Sequence, residues 1–494
     1  WYYFNKPPFF NWIQTIFINI TGSYNEWVIR FPSICSLLMV AFINWKIVKQ
    51  HINIETAWFS SLFLLTSGEI LFFGSVYAGE IDLFFTLVVY LQVISFFHFL
   101  QNRRYTAMFV LSYFFSALGF LTKGLPAIAF QGITLLAVLL VFRQIRLLFT
   151  WKHLAGLVVF LLICGGYLVL LYRENILTEF LIRQLRESSQ RTAAESALLQ
   201  TIKGAFITPF RIIFMLLPWS LFFIFMFRNN FMNKIKSNPL ILYSAVFILF
   251  NLPLYWITGD FKGRYIYPFF PFFTILLGYF YTTRVQHIQR GSWLFFIMGA
   301  AFVLLPIALT AVLFVPAFSS IPMNHILNLV LIVAAISLGW LFVRMEKYRI
   351  YLLLLLLVVA RLGVNNIYLN SRAVDSRTAV YEQHVENILT ITGGEQVYIT
   401  GYPNQYPNSF DLGPFSLSVN SIQTAPYIAF QIPYYLTLKT GRLLKFEETI
   451  TPGRFYLVTE RHASGKDYEI KYSFHDGFIH STWLLIQIPL ESNL

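Results

Sequence analysis

The chain has 494 residues, of which 57% are hydrophobic and only 12% charged, with a mean hydropathy of +0.62. Soluble domains carry about a quarter charged residues, so a soluble globular class is excluded and a polytopic membrane protein is implied. The net charge of +13 does not point to nucleic acid, because many basic residues sit in short loops between apolar runs, the positive-inside pattern.

The chain opens with Lys6-Pro7-Pro8 between aromatic residues. Adjacent prolines forbid helix there, since each lacks an N–H and each disfavours αR in the residue before it. Lys6 therefore sits on a stiff turn at a membrane boundary, where a lipid phosphate is its natural partner. Residues 9–21 read as a short amphipathic helix. The chain begins at Trp1 with neither Met nor a signal peptide, and is expected to be a fragment or a processed form.

Twelve apolar runs read as spans: 27–46, 57–77, 83–100, 105–122, 126–142, 154–172, 208–227, 239–257, 266–283, 293–315, 325–343 and 350–368. Each can cross a bilayer as a helix. Loops after 46, 100, 142, 227, 283 and 343 are basic and are assigned to the cytoplasm. Those after 77, 122, 172, 257 and 315, with both chain ends, then face outward. Cys35 and Cys164 lie inside apolar runs, so they read as buried hydrophobes rather than a disulfide framework or a zinc site.

Residues 370–494 change composition and read as a small α/β domain. Helices are expected at Tyr381–Ile391 and near 427–440. Strands are expected at Gln396–Thr400, Phe455–Thr459, Glu469–Phe474 and Trp483–Ile488.

An ionisable group in a span costs about 2.5–3.5 kcal/mol, so charges near spans are functional candidates. Glu80 and Asp82 form a tight outer loop; they are either a helix start capped by Asp82 or carboxylates for acid/base, metal or sugar contact. Lys123, followed by Gly124, is a lone outer cation: a snorkelling lysine or an anion ligand. Lys262, Arg264 and Tyr265 crowd an outer helix entrance and suit phosphate binding. Arg183 and Arg186, three apart on a predicted outer helix, are either a solvated face or ligands. Arg361 lies within the last span, with a structural pairing and a ligand role both open. No histidine cluster has metal-ligand spacing. With no Gly-rich nucleotide loop on the cytoplasmic side, a nucleotide-driven enzyme is disfavoured.

Five segments in order carry a resemblance: Asn5-Lys6-Pro7-Pro8 with Trp12, Glu26 to Ser33, Phe120 to Gly124, Leu217 to Leu221, and Lys262 to Tyr265 with Pro268. Together they resemble the C-type membrane glycosyltransferases, above all the lipid A aminoarabinose transferases and protein O-mannosyltransferases. The resemblance covers most of 1–370 and implies a fold of thirteen spans, about twelve of them here, with a C-terminal extracytoplasmic α/β domain. It divides the chain into a transmembrane glycosyltransferase domain, 1–369, and a periplasmic domain, 370–494.

It also implies transfer of a sugar from a polyprenyl-phosphate donor to lipid A, a glycan or a protein on the periplasmic side of a bacterial inner membrane. Lys6, Lys123, Arg183, Arg186, Lys262, Arg264 and Tyr265 are the expected lipid-phosphate ligands. The family's catalytic aspartate would lie before Trp1, so within this sequence Glu80 and Asp82 are the carboxylates open to a catalytic role. The family's Glu before Lys-Pro-Pro is Asn5 here. In the aminoarabinose branch that Glu holds a metal with a loop His, and 173–206 contains no His, which puts a divalent metal in doubt. A lipid-linked sugar flippase and an inactive fragment are the alternative readings.

Overall fold

The computed structural model describes residues 6–73, 75–189, 197–226, 231–256, 262–285, 293–315, 323–370, 377–400, 404–405, 409–411, 416–418, 423–424, 428, 431–447, 449–460, 468–477 and 480–489. The chain divides into two compact units. One is built of Phe4–Phe17 and Ile29–Tyr368; the other contains Ile18–Val28 and Leu369–Leu494.

The first unit is helical. Among the described residues, seven helices are long and apolar enough to cross a membrane: Glu26–His51, Ile81–Gln101, Tyr105–Lys123, Trp151–Arg173, Ile297–Phe314, His325–Arg344 and Glu346–Leu369. These correspond to seven of the expected runs. The other five are shorter or broken. The run at 57–77 divides into Ile54–Leu65, Gly68–Phe72 and Ser75–Ala78. That at 126–142 is the 17-residue helix Leu125–Val141. The run at 208–227 is interrupted after Met215, where Pro218 follows. Pro253 and Pro268 likewise sit in 3-10 turns that flank Pro239–Asn251 and precede Phe270–Phe280. Each proline removes a helical N–H.

The broken elements include the most buried ones: nearly every residue of Phe270–Phe280 is buried. By contrast, Trp151–Arg173, Ile297–Phe314 and His325–Arg344 are largely exposed, with aliphatic and aromatic side chains outward. A bilayer tolerates irregular backbone only where protein satisfies its polar groups, so this distribution is the one expected of a membrane bundle.

Helix Ile81–Gln101 fixes the two ends of the bundle. At its C-terminal end His98 lies 6.2 Å from His51, ring to ring, and the His51 carbonyl accepts from Asn238 Nδ2 at 2.9 Å. Lys152 lies over the Tyr105 ring nearby in the chain, just past the Arg103-Arg104 turn. At its N-terminal end lie Glu80 and Asp82.

The second unit contains a five-stranded sheet in the order Lys445–Phe446, Val397–Ile399, Phe455–Thr459, Ser481–Gln487, Glu469–Asp476. The first three pair in parallel and the last two pairings are antiparallel. Helices Arg377–Thr392 and Gln431–Thr440 bury Tyr381, Val385, Ile388, Ile432 and Leu436 in one core with Val397, Leu457 and Trp483. Tyr456, Val458, Leu484 and Ile486 form a second core. The α/β class read from the sequence is thus borne out, with both helices and the four expected strands in place.

Candidate functional site

The site is built where two helix ends of opposite sign meet. Tyr105–Lys123 ends at Lys123, and Ile81–Gln101 carries Asp82 in its first turn. A cation suits a helix C-terminus and an anion an N-terminus. Lys123 Nζ binds Asp82 Oδ1, and their side chains are only 7% and 4% exposed. Lys123 Nζ also lies over the rings of Tyr265, at 4.4 Å, and Phe85, at 5.2 Å. Asp82 does not cap its helix. Glu80 holds the capping position, and its side chain makes no capping hydrogen bond.

Two glycines permit this approach. Gly124 has φ +79° and lets the next helix start at once; a Cβ there would stand 2.6 Å from Gln184 Oε1. A Cβ on Gly119 would stand 2.7 Å from the Ala127 Cβ, so that glycine lets the helices on either side of the turn close together.

Arg264 arrives from the 3-10 segment Gly263–Phe269. Its Nη1 binds Glu80 Oε1, and its Nε lies 3.4 Å from Asp82 Oδ2. This tier is more open, with side chains 29% exposed for Arg264 and 25% for Glu80. The same segment carries Tyr267, whose hydroxyl donates to Glu69 Oε1 at 3.1 Å. Glu69 was missed by sequence reasoning. Its signal was a lone carboxylate after Ser67-Gly68 in an apolar run. It is placed by a local lock: Gly68 N–H donates to the Leu217 carbonyl at 2.7 Å, Trp219 Nε1 donates to Thr66 Oγ1 at 3.0 Å, and Trp219 stacks on Phe63 at 4.3 Å. The Leu217–Leu221 segment thus serves as a buried strut.

The structure brings together Glu80, Asp82, Lys123, Arg264 and Tyr265. Arg183 lies on helix Leu177–Ser189 beside Gln184, whose side chain packs on Gly124. The Arg186 side chain lies outside the described residues, as does Asn5. Lys262 is exposed. Lys6 is half-buried and leads into helix Phe9–Thr21, whose Phe9 and Phe10 pack on Phe84, two residues past Asp82. Arg361 is buried, and its Nη1 points to the Phe72 carbonyl at 3.5 Å. Cys35 and Cys164 are free thiols.

Among the described residues no three His, Cys, Asp or Glu side chains are grouped to hold a metal ion.

Residues 5–168 match the family model described as dolichyl-phosphate-mannose-protein mannosyltransferase. No curated protein matches the chain by sequence. Two crystal structures of ArnT from Cupriavidus metallidurans are similar to it. The one bound to undecaprenyl phosphate has a TM-score of 0.64 and 17% identity, over 99% of this chain and 89% of that one. The one in the apo state has a TM-score of 0.62 and 17% identity, over 98% and 88%. The family model covers the first three of the five segments, Lys6 to Gly124, and over nearly its whole length the chain shares the fold of ArnT.

Proposed function

We propose that the chain is a membrane glycosyltransferase that moves a sugar from a polyprenyl phosphate to an acceptor on the periplasmic side of a bacterial inner membrane. The observation that carries this reading is the convergence of Arg264, Lys123 and Tyr265 with Glu80 and Asp82 at one end of the bundle. An ArnT structure of the same fold holds undecaprenyl phosphate, a polyprenyl phosphate. The positive-inside loops support a cytoplasmic assignment of the opposite end and an outer assignment of the site.

In the reaction the acceptor oxygen bonds to the sugar's anomeric carbon as the bond from that carbon to the phosphate oxygen breaks. The phosphate keeps the electron pair, so negative charge grows there, and the proton of the acceptor hydroxyl passes to the departing phosphate or to solvent. Arg264 offers a planar fork of donors to phosphate oxygens, and Lys6 a point charge from a rigid turn. Held in place beforehand, such groups stabilise the leaving group without reorganising. Lys262 and Arg183 are the secondary cations of this reading. Asp82 is buried between Lys123 and Arg264, so an acceptor hydroxyl does not reach it; it positions the two cations.

An enzyme is favoured over a flippase by where the charges lie. Among the described residues of the helical unit, the buried charged side chains are Asp82, Lys123 and Arg361; other buried polar groups, such as Asn44, Gln92, Gln131 and Asn251, are neutral. Transfer is tested with the purified protein, a panel of labelled undecaprenyl-phosphate sugars and lipid A, glycan or protein acceptors. Label moves to an acceptor with the wild type and not with Lys6→Ala. Unchanged turnover in that variant would sink the assignment.

A further inference from the structure

We infer that Glu80 is a stand-in anion: it holds Arg264 in place and competes with the donor phosphate for that guanidinium. The inference rests on the reading of Arg264 as a phosphate ligand.

The ion pairs of the site form two tiers. Lys123–Asp82 is shut away from solvent, while Arg264–Glu80 is a quarter or more exposed on both sides. An incoming phosphate can reach only the second. Displacing Glu80 leaves Arg264 still facing Asp82, whose Oδ2 lies 3.4 Å from Nε. The guanidinium therefore keeps the Asp82 charge beside its Nε edge, without a hydrogen bond there, when its Nη1 edge changes partner.

The Glu80 side chain makes no capping hydrogen bond to its helix. Its backbone is fixed by neighbours instead: Ser33 Oγ donates to the Glu80 carbonyl at 2.9 Å. Gly79, at φ +62°, lies so close to Arg30 that a Cβ would stand 3.2 Å from the Arg30 Cα. Removing the Glu80 charge should leave the loop intact. It would free Arg264 and remove like-charge repulsion against a bound phosphate.

A carboxylate needed for structure or for binding would weaken affinity when neutralised; a competitor strengthens it. The sign of the effect separates the two. Exposed ion pairs are modest, so the gain is about fivefold.

The test measures undecaprenyl phosphate binding to the purified full chain in detergent, for wild type, Arg264→Ala, Glu80→Gln, Glu80→Ala and the Glu80→Gln/Arg264→Ala pair. We expect weaker binding in Arg264→Ala and about fivefold tighter binding in both Glu80 variants. The double variant should bind no better than Arg264→Ala, because Glu80 acts through Arg264. Unchanged binding in Arg264→Ala overturns the site reading itself. Weaker binding in Arg264→Ala with unchanged or weaker binding in the Glu80 variants overturns this inference and leaves the site standing. Failure of both Glu80 variants to fold would show a structural pair and overturn it too.

Discussion

Lys123 and Asp82 form a buried ion pair that joins the end of one membrane helix to the first turn of the helix before it. They are 41 residues apart in the chain. The pair gives the site a fixed floor, on which Arg264 and Tyr265 are laid from a segment 140 residues further on.

Breaking this floor costs stability. Removing one partner of a buried pair leaves an uncompensated charge, worth about 3–5 kcal/mol. Lys123→Met and Asp82→Asn should each lower the thermal midpoint of the purified protein strongly. The double variant Lys123→Met/Asp82→Leu, with no charge left to strand, should recover part of the loss. If both single variants melt with the wild type, the pair is not the floor of the site.

Gly124 offers a test of the turn behind Lys123. At φ +79° and ψ −140° a side chain is strained, by roughly 1–3 kcal/mol, and a Cβ would collide with Gln184. Gly124→Ala should therefore destabilise the protein in differential scanning fluorimetry. The companion Gln184→Ala should relieve the collision part of the loss but not the strain.

Trp219 tests the strut that places Glu69. Trp219→Ala removes a fully buried ring and should cost about 3–5 kcal/mol. Trp219→Phe keeps the stack on Phe63 and loses only the bond to Thr66 Oγ1, about 1 kcal/mol. Denaturation midpoints in a graded denaturant series order wild type above Phe above Ala; equal losses in the two variants would contradict a stacking role.

These last residues show what the sequence could and could not tell. Seven of the twelve runs, the change of composition near 370 and strand Phe455–Thr459 were readable because periodicity and length report local structure. Glu69 was hidden because the run at 57–77 is apolar enough to pass for one helix, whereas the chain breaks after Leu65, where Gly68 gives its N–H to Leu217. Pro218 and Pro253 were the readable signs of the breaks in their own runs. The two-tier pairing of Lys123, Asp82, Glu80 and Arg264 was not readable at all, since it depends on helix ends brought together by packing. The cost of charge near a span singled out those residues; only the fold shows which faces which.

The C-terminal unit carries a pH dependence. His384 stacks on Phe474 at 4.8 Å, and its Nδ1 lies 2.8 Å from the Tyr472 hydroxyl. Burial lowers its pKa below the ordinary 6.5, against an opposing pull from Asp476. The unfolded chain then binds the proton more readily, so its contribution to stability is complete above the ordinary value and is lost as pH falls through the folded one. The melting temperature of the full chain should fall on acidification through this window, and His384→Gln should flatten that slope. An unchanged slope in the variant would remove His384 as its source.

The central claim is that the charged end of the bundle receives a polyprenyl phosphate. Its most direct test is the affinity of the purified protein for undecaprenyl phosphate in Lys6→Ala and Arg264→Ala against wild type. The account predicts saturable binding by the wild type and a loss of about tenfold or more in each variant, the size of a charge-assisted contact. Binding of equal strength in all three, or none in the wild type, would contradict it.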